Sequence, residues 1–209
     1  NTGLRPRLEM VCATSEASAE RYRTAYGFAR ATADWQVLVN DPLVEAVVIA
    51  SPQETHRAIA EAALALGKPV LCEKPLGASL EDGAAMVTAA AKAGVANMVG
   101  FNYIRTPASQ FARALIADGT IGDVTWFRAE HTEDFLADPQ APATWRTSGM
   151  ANGPMGDLAP HIVNPPLALI APHQRLMADA ATAHHTPPGA TVPTAHHPPT
   201  LLPLARGVT

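Results

Sequence analysis

The sequence predicts an α/β protein with a doubly wound parallel sheet, followed by the start of an α+β domain with an open, mostly antiparallel sheet. Short apolar runs at residues 46–50 and 70–72 are typical of strands buried on both faces. Helical stretches of about a dozen residues separate such runs, and this alternation indicates crossover units in a parallel sheet. The polar and apolar alternation of residues 123–130 predicts a strand with one exposed face, as in an antiparallel sheet.

Serine and glycine residues mark the ends of the predicted helices. Ser15 or Ser18 would cap the first helix and Ser79 a later one, while Gly27 and Gly94 follow helices as stops. The predicted strands cover residues 8–13, 46–50, 70–72 and 96–101, and the predicted helices cover residues 15 or 18 to 26, 55–66, 79–93 and 107–118.

Composition divides the chain into three predicted parts. Residues 1–104 carry the alternating strands and helices, and residues 105–182 form part of the α+β domain. Ten of the 19 prolines lie from Pro160 onward, so residues 183–209 are predicted to be an irregular, proline- and histidine-rich tail. Paired histidines can bind zinc, but adjacent side chains in such a tail lack a fixed geometry, so no metal site is predicted at His184, His185, His196 and His197.

The overall charge and hydropathy exclude several partners. The net charge of −4 argues against nucleic acid or an anionic membrane, and no apolar stretch approaches the roughly 20 residues of a spanning helix. Cys12 and Cys72 each lie in an apolar run, which favours buried thiols in a reducing compartment over a disulfide. A reducing compartment leads us to expect a cytoplasmic protein.

Polar residues follow three of the predicted parallel strands. Glu73 and Lys74 end one strand directly before Pro75, Ser51-Pro52 ends another, and residues 102–105 follow a third. Ligands of parallel sheets bind beyond the carboxyl ends of the strands, so these residues are expected to line one crevice. The alternative for Glu73 and Lys74 is a solvated ion pair at a strand exit.

Asp157 and His161 are spaced four residues apart, which places both on one face if the segment is helical. Together with Lys74 they form a plausible set for oxidising a secondary alcohol. Histidine titrates near neutrality and can accept the hydroxyl proton, while a lysine stabilises the charge that develops on oxygen. The alternative is an ordinary surface pair.

These motifs resemble the Gfo/Idh/MocA oxidoreductases, which include glucose–fructose oxidoreductase and inositol dehydrogenase. The resemblance extends over about residues 8–180 and rests on residues 50–52 with His56, 67–76, 100–103, 119–122, Trp145-Arg146 and Gly156-Asp157 with His161. It implies a Rossmann-type fold and hydride transfer between a nicotinamide cofactor and a sugar, polyol or related secondary alcohol. It also implies a cis peptide bond before Pro75 and a small-molecule substrate.

The resemblance also assigns roles to individual residues. Lys74, Asp157 and His161 match the catalytic residues, with His161 as the acid or base. The implied cofactor-binding residues are Ser51, Pro52, His56, Glu73, Lys74, Asn102, Trp145 and Arg146, and the implied substrate-binding residues are Tyr103, Arg105, Lys74, Asp157 and His161.

The glycine-rich phosphate loop of the family has no counterpart in this sequence. None of the 14 glycines forms G-x-G-x-x-G, so we expect a chain that is incomplete at both ends. A catalytically inactive dinucleotide- or sugar-binding regulatory protein on the same scaffold is therefore the alternative function. Family members pair through the C-terminal sheet, which makes a homo-oligomer possible.

The choice between NADP and NAD depends on the end of the first strand. No acidic residue that would bind the adenosine ribose occurs there, and Thr14, Ser15 and Arg21 suit a 2′-phosphate, which marginally favours NADP. The alternative is that Ser15 only caps the following helix.

Overall fold

The computed structural model describes residues 5–134, 138, 142 and 156–170. The chain divides into two compact units, residues 1–100 and residues 101–209. The domain boundary predicted between residues 104 and 105 stays a prediction. The proline- and histidine-rich tail lies outside the described residues.

The first unit alternates strands with helices, as the sequence predicts. Its strands are β1 (Met10–Cys12), β2 (Arg30–Thr32), β3 (Val47–Ile49), β4 (Val70–Cys72) and β5 (Asn97–Val99), and its helices are α1 (Glu16–Tyr26), α2 (Trp35–Asn40), α3 (His56–Ala65) and α4 (Leu80–Ala93). Every strand pair in this unit is parallel, in two sheets of order β1-β2 and β3-β4-β5. The predicted α/β fold with parallel sheets is confirmed.

Local capping explains where the long helices begin and end. The Ser15 and Ser79 hydroxyls accept hydrogen bonds from the Ser18 and Asp82 N–H groups, at 3.2 and 3.1 Å. These bonds satisfy N–H groups that a first helical turn leaves without partners. Gly27 ends α1 with a φ of 77°, a left-handed conformation that favours glycine.

Two short elements were missed by the sequence prediction. β2 has only three residues and begins with Arg30, so it shows no apolar run. Residues 35–40 form α2, whose Asp34 cap accepts the Gln36 N–H at 2.8 Å. Six residues are too few for a helical hydrophobic period to be recognised.

The core of the first unit lies between its second sheet and helices α3 and α4. It consists of Val39, Val44, Val47, Ile49, Ile59, Ala60, Ala63, Leu64, Val70, Cys72 and Met86. Val47 and Ile49 face this core, whereas Val48 between them is 68% exposed. The expectation of burial on both faces is therefore not met at β3 in the described residues, because successive side chains of a strand point to opposite faces.

A charged network links the two sheets of the first unit. Arg30 on β2 donates to Glu9 Oε1 at 2.9 Å and to Asp41 Oδ1 at 2.8 Å. Lys68, just before β4, donates to the Asp41 carbonyl oxygen at 2.7 Å. Asp41 thus connects a residue of the first sheet to a residue that leads into the second.

The described residues of the second unit include a 3-10 turn (Tyr103–Arg105) and the helices α5 (Pro107–Ala117) and α6 (Ala159–Leu169). The described residues 122–134 form no strand, so the predicted antiparallel sheet is not confirmed. The sequence also predicts that Pro165 disturbs the helix bearing His161, but α6 continues through Pro165 and Pro166 to Leu169. In the part of the chain that the structure describes, every helix is too short or too polar to span a membrane.

The Arg30–Asp41 pair predicts a loss of stability in acid. The Arg30 guanidinium, aided by the Leu43 N–H, lowers the pKa of Asp41 to about 2 from its ordinary value of 3.8. A carboxyl whose pKa is lowered by folding stabilises the fold fully above its unfolded pKa, and that contribution disappears as the pH falls through its folded pKa. The difference between wild type and Arg30→Ala in urea midpoint should therefore be largest near pH 6 and shrink between pH 4 and pH 2.

Arg21→Ala is the matched control, because Arg21 is an exposed arginine on α1 that lies over the Tyr22 ring. Its urea midpoint should stay close to the wild-type value throughout the pH range. A constant difference between wild type and Arg30→Ala from pH 6 to pH 2 would contradict the assignment.

Candidate active site

Ser51 and Pro52 directly follow β3 and begin a tight turn that leads into α3. Thr55 donates its hydroxyl to the Pro52 carbonyl oxygen at 2.7 Å, and the Ser51 hydroxyl lies 2.6 Å from the Thr55 hydroxyl oxygen. Since the Thr55 proton is used on Pro52, Ser51 donates to Thr55 and keeps its lone pairs for an outside donor. Thr55 therefore sets the orientation of Ser51.

His56 joins this turn to the loop after β4. Its ring is 1% exposed, with Nε2 2.8 Å from the Ser51 carbonyl oxygen. Nδ1 lies 3.1 Å from the Pro75 carbonyl oxygen and 3.3 Å from that of Leu76. A neutral imidazole can donate to only one of these two sides, whereas an imidazolium donates to both. The buried His56 ring thus lies between two strand-end loops and contacts the backbone of both.

Lys74 lies between β4 and this His56 contact. It is partly buried, and its peptide bond to Pro75 is cis, as the sequence analysis expected. The adjacent Glu73 N–H donates to the Ile49 carbonyl oxygen at 2.8 Å, which continues the β3–β4 ladder to the base of the lysine. The main chain of Lys74 is thus fixed from both sides, by the sheet and by the loop that His56 holds.

Glu73 lies against the end of β5. Its Oε2 accepts the Lys74 N–H at 3.2 Å, and a Cβ added at Gly100 would lie 2.7 Å from its Oε1. The Gly100 N–H in turn donates to the Cys72 carbonyl oxygen at 2.7 Å. Gly100 therefore provides the space that the carboxylate occupies, and any larger residue would displace it.

The candidate residues of the second unit cluster around the 3-10 turn and α6. His161 lies in the first turn of α6, and its ring centroid is 4.4 Å from that of Tyr103. Gly156 and Asp157 are helical and Leu158 is a turn residue before α6 begins, so Asp157 and His161 do not share one uninterrupted helix. Asn102 and Arg105 are exposed beside Tyr103.

The remaining candidates are Thr14, Ser15, Trp145 and Arg146. Ser15 caps α1 and Thr14 is exposed next to it. Trp145 and Arg146 lie outside the described residues. Thr55 and His131 were not identified from the sequence. Gly100 was identified only as part of the 100–103 motif, although a glycine immediately after a strand is a usable signal for a close approach.

Neither cysteine is suited to nucleophilic chemistry. Burial, with a contribution from the Glu73 carboxylate, raises the pKa of Cys72 to about 12. Burial also raises the pKa of Cys12. Both are free thiols, and they lie in the two different sheets. Among the described residues, no group of three or more His, Cys, Asp or Glu side chains could hold a metal ion.

Two protein-family models and several known enzymes match this sequence. A family model described as an oxidoreductase family with an NAD-binding Rossmann fold matches residues 2–101, and a GFO/IDH/MocA C-terminal domain model matches residues 109–198. Levoglucosan dehydrogenase of Pseudarthrobacter phenanthrenivorans is 40% identical over 154 residues, which cover 73% of this chain and 39% of that enzyme.

Solved structures of dehydrogenases and oxidoreductases also resemble this chain. A levoglucosan dehydrogenase in complex with NADH and levoglucosan matches with a TM-score of 0.83 at 33% identity, covering 88% of this chain and 50% of that one. An NAD-binding oxidoreductase from Klebsiella pneumoniae matches with a TM-score of 0.79 at 38% identity, covering 87% of this chain and 48% of that one. This chain thus spans half or less of the length of these relatives.

The buried contacts of His56 predict a strong dependence of stability on this side chain. His56→Ala would leave a cavity and remove the polar partner of buried carbonyl groups in two loops, so we expect a loss of about 3 kcal/mol in the free energy of unfolding. Urea denaturation followed by circular dichroism measures this loss.

Arg57→Ala provides the control at the neighbouring position. Among the described residues, Arg57 forms surface ion pairs with Glu61 at 3.0 Å and Asp82 at 3.2 Å, and such pairs contribute roughly 0–1 kcal/mol. Equal losses for His56→Ala and Arg57→Ala would show that the imidazole does not hold the loops.

Proposed function

Because the chain belongs to the Gfo/Idh/MocA oxidoreductase family, we propose that this protein is a nicotinamide-dependent dehydrogenase. In this proposal it transfers hydride between the cofactor and a sugar, polyol or related secondary alcohol. The observation that carries the proposal is the polar end of β4, where Glu73 lies against Gly100 and His56 contacts both the loop after Lys74 and the Ser51 carbonyl oxygen. Ligands of parallel sheets bind beyond such strand ends.

The chemistry of these residues fits the nicotinamide ribose. A carboxylate accepts hydrogen bonds from ribose hydroxyls, and the Ser51 oxygen has lone pairs available after donating to Thr55. Ser51, Pro52 and Glu73 would hold this end of the cofactor, and bound nicotinamide would supply a carbon that accepts or gives hydride. His56 contributes by fixing the loops rather than through its own ring, which is buried.

For the cofactor, NAD(H) is the better supported choice. The matching family model is described as NAD-binding, and the matching levoglucosan dehydrogenase structure contains NADH. Ser15 caps α1, which accounts for this serine without a 2′-phosphate. Thr14 and Arg21 are the residues that would favour NADP, and a comparison of NADH with NADPH binding distinguishes the two.

The proton chemistry is assigned to Lys74 and His161. The Lys74 ammonium donates a hydrogen bond to the reacting hydroxyl oxygen and stabilises the negative charge that develops there. The His161 imidazole accepts the hydroxyl proton during oxidation and returns it during reduction. Asp157 assists this proton transfer, Tyr103 and Arg105 line the approach of the substrate, and Asn102 contacts the cofactor.

The substrate class follows from this chemistry and from the relatives. A lysine that stabilises charge on oxygen and a histidine that takes up a proton suit the oxidation of a secondary alcohol. Levoglucosan, the substrate of the relative named above, is an anhydro sugar of this kind. Trp145 and Arg146 are proposed to cover the cofactor, as the family resemblance implies.

Three further properties are proposed for the protein. Residues 123–130 would pair into an antiparallel sheet of the second domain, supported by the match of residues 109–198 to the family's C-terminal domain. That sheet would provide a homo-oligomer contact. Cys12 and Cys72 as free thiols support a cytoplasmic location.

Replacement of the lysine tests the proposal. Lys74→Ala removes the donor to the reacting oxygen, so kcat should fall by about 100-fold or more while NADH affinity and urea midpoint stay close to wild type. Turnover is followed by NADH absorbance with a panel of anhydro sugars, pyranoses and inositols, and binding is followed by NADH and NADPH fluorescence.

Lys92→Ala is the control, because Lys92 lies in the last turn of α4, away from the carboxyl ends of the strands. It should match wild type in all three measurements. Near-normal kcat for Lys74→Ala would remove the lysine from the mechanism. Binding of NADH without turnover of any substrate would favour the alternative, a regulatory protein that binds dinucleotide, and binding of neither dinucleotide would refute the dehydrogenase.

A further inference from the structure

Three aromatic rings form a cluster in the second unit. The His161 ring lies 4.4 Å from the Tyr103 ring and 5.7 Å from the His131 ring, measured between centroids. His131 is nearly parallel to His161, with 16° between the ring planes, and its centroid lies 5.9 Å from that of Tyr103. The proposed proton-transfer residue therefore contacts two rings, of which only Tyr103 has been given a role above.

His131 is itself anchored. Its Nε2 lies 3.1 Å from Glu133 Oε1, and its side chain is 16% exposed whereas that of Glu133 is 43% exposed. Residues 122–134 form neither helix nor strand, so the backbone hydrogen bonds of a regular element do not fix the His131 ring. The carboxylate and the two neighbouring rings are the contacts that define its position.

His161 lies in the first turn of α6, four residues before Pro165, which carries no N–H to donate to the His161 carbonyl oxygen. The contacts with the Tyr103 and His131 rings restrict the rotamers that the His161 side chain can adopt.

From these contacts we propose that His131, anchored by Glu133, is a positioning residue that holds the His161 ring in the orientation required for proton transfer. The inference rests on the proposed function, since it assigns His161 the proton. His131 does not touch the reacting atoms in this account. It acts through His161, whose ring nitrogen must meet the substrate hydroxyl within a narrow range of distance and angle.

The spectroscopic test requires no turnover. Protein labelled with ¹³C in its histidine rings gives ¹H–¹³C signals, and the His161 signals are identified by their absence in His161→Gln. His131→Ala removes the stacked ring and should shift the His161 signals. His131→Phe restores an aromatic neighbour and should return the His161 line widths towards wild type, and Glu133→Ala should give an intermediate change.

Glu130→Ala is the matched control, because Glu130 lies in the same segment and pairs with Arg128, which donates to its Oε1 at 3.1 Å. Its His161 signals should coincide with wild type. If His161 signals in His131→Ala also coincide with wild type, the positioning role is refuted, whether or not the protein shows dehydrogenase activity.

The kinetic test separates positioning from general structural support. His131→Ala should lower kcat by about 10- to 100-fold with little change in KM for the alcohol, because misalignment affects the reacting geometry more than binding. His131→Phe should recover most of kcat, and Glu130→Ala should equal wild type. A His131→Ala enzyme with wild-type kcat would overturn the inference. Absence of turnover in the wild-type protein would refute the proposed function, and the spectroscopic test would then decide whether His131 positions the His161 ring.

Discussion

The candidate site of the first unit depends on one buried imidazole. His56 contacts backbone carbonyl groups from the loop after β3 and from the loop after β4, and its ring is almost completely buried. These two loops carry Ser51, Glu73 and Lys74. The backbone of these loops therefore sets the position of each proposed ligand-binding group. Sheet hydrogen bonds end with the strands, and beyond them the His56 side chain contacts both loops.

β4 is an apolar strand that is followed directly by the charged residues Glu73 and Lys74. β4 is buried where it pairs with β3 and β5, and its ladder continues through the Glu73 and Gly100 N–H groups. The absence of a side chain at Gly100 lets the Glu73 carboxylate lie against the neighbouring strand end. A carboxylate and an ammonium so placed can face a ligand while the apolar part of the strand remains in the core.

Much of this arrangement was predictable from the sequence because it depends on local patterns. The apolar runs identified β3 and β4, serine caps and glycine stops identified α1 and α4, and the Glu73–Pro75 motif identified the polar strand end. β2 and α2 were not predictable because they are too short to show a period. The continuation of α6 through Pro165 and Pro166 was also missed, because the local rule that proline ends a helix can be overridden by packing.

Contacts between distant residues were the least accessible to sequence reasoning. The hydrophobic pattern around residues 122–134 does not indicate that His131 stacks on His161. The two histidines are 30 residues apart, and no repeating pattern connects their segments. The same holds for Arg30, whose contacts with Glu9 and Asp41 link β2 to distant parts of the first unit. An antiparallel strand at residues 123–130 is likewise not determined by alternation alone, since a strand also requires a partner strand to pair with.

The central claim is that a nicotinamide dinucleotide binds at the carboxyl ends of β3 and β4. Hydrogen–deuterium exchange with and without millimolar NADH tests it most directly, using peptides that cover residues 49–56, residues 71–77 and, as a reference, α5. The account predicts slower exchange in the first two segments and unchanged exchange in α5. Unchanged exchange in both strand-end segments, or protection confined to α5, would contradict it.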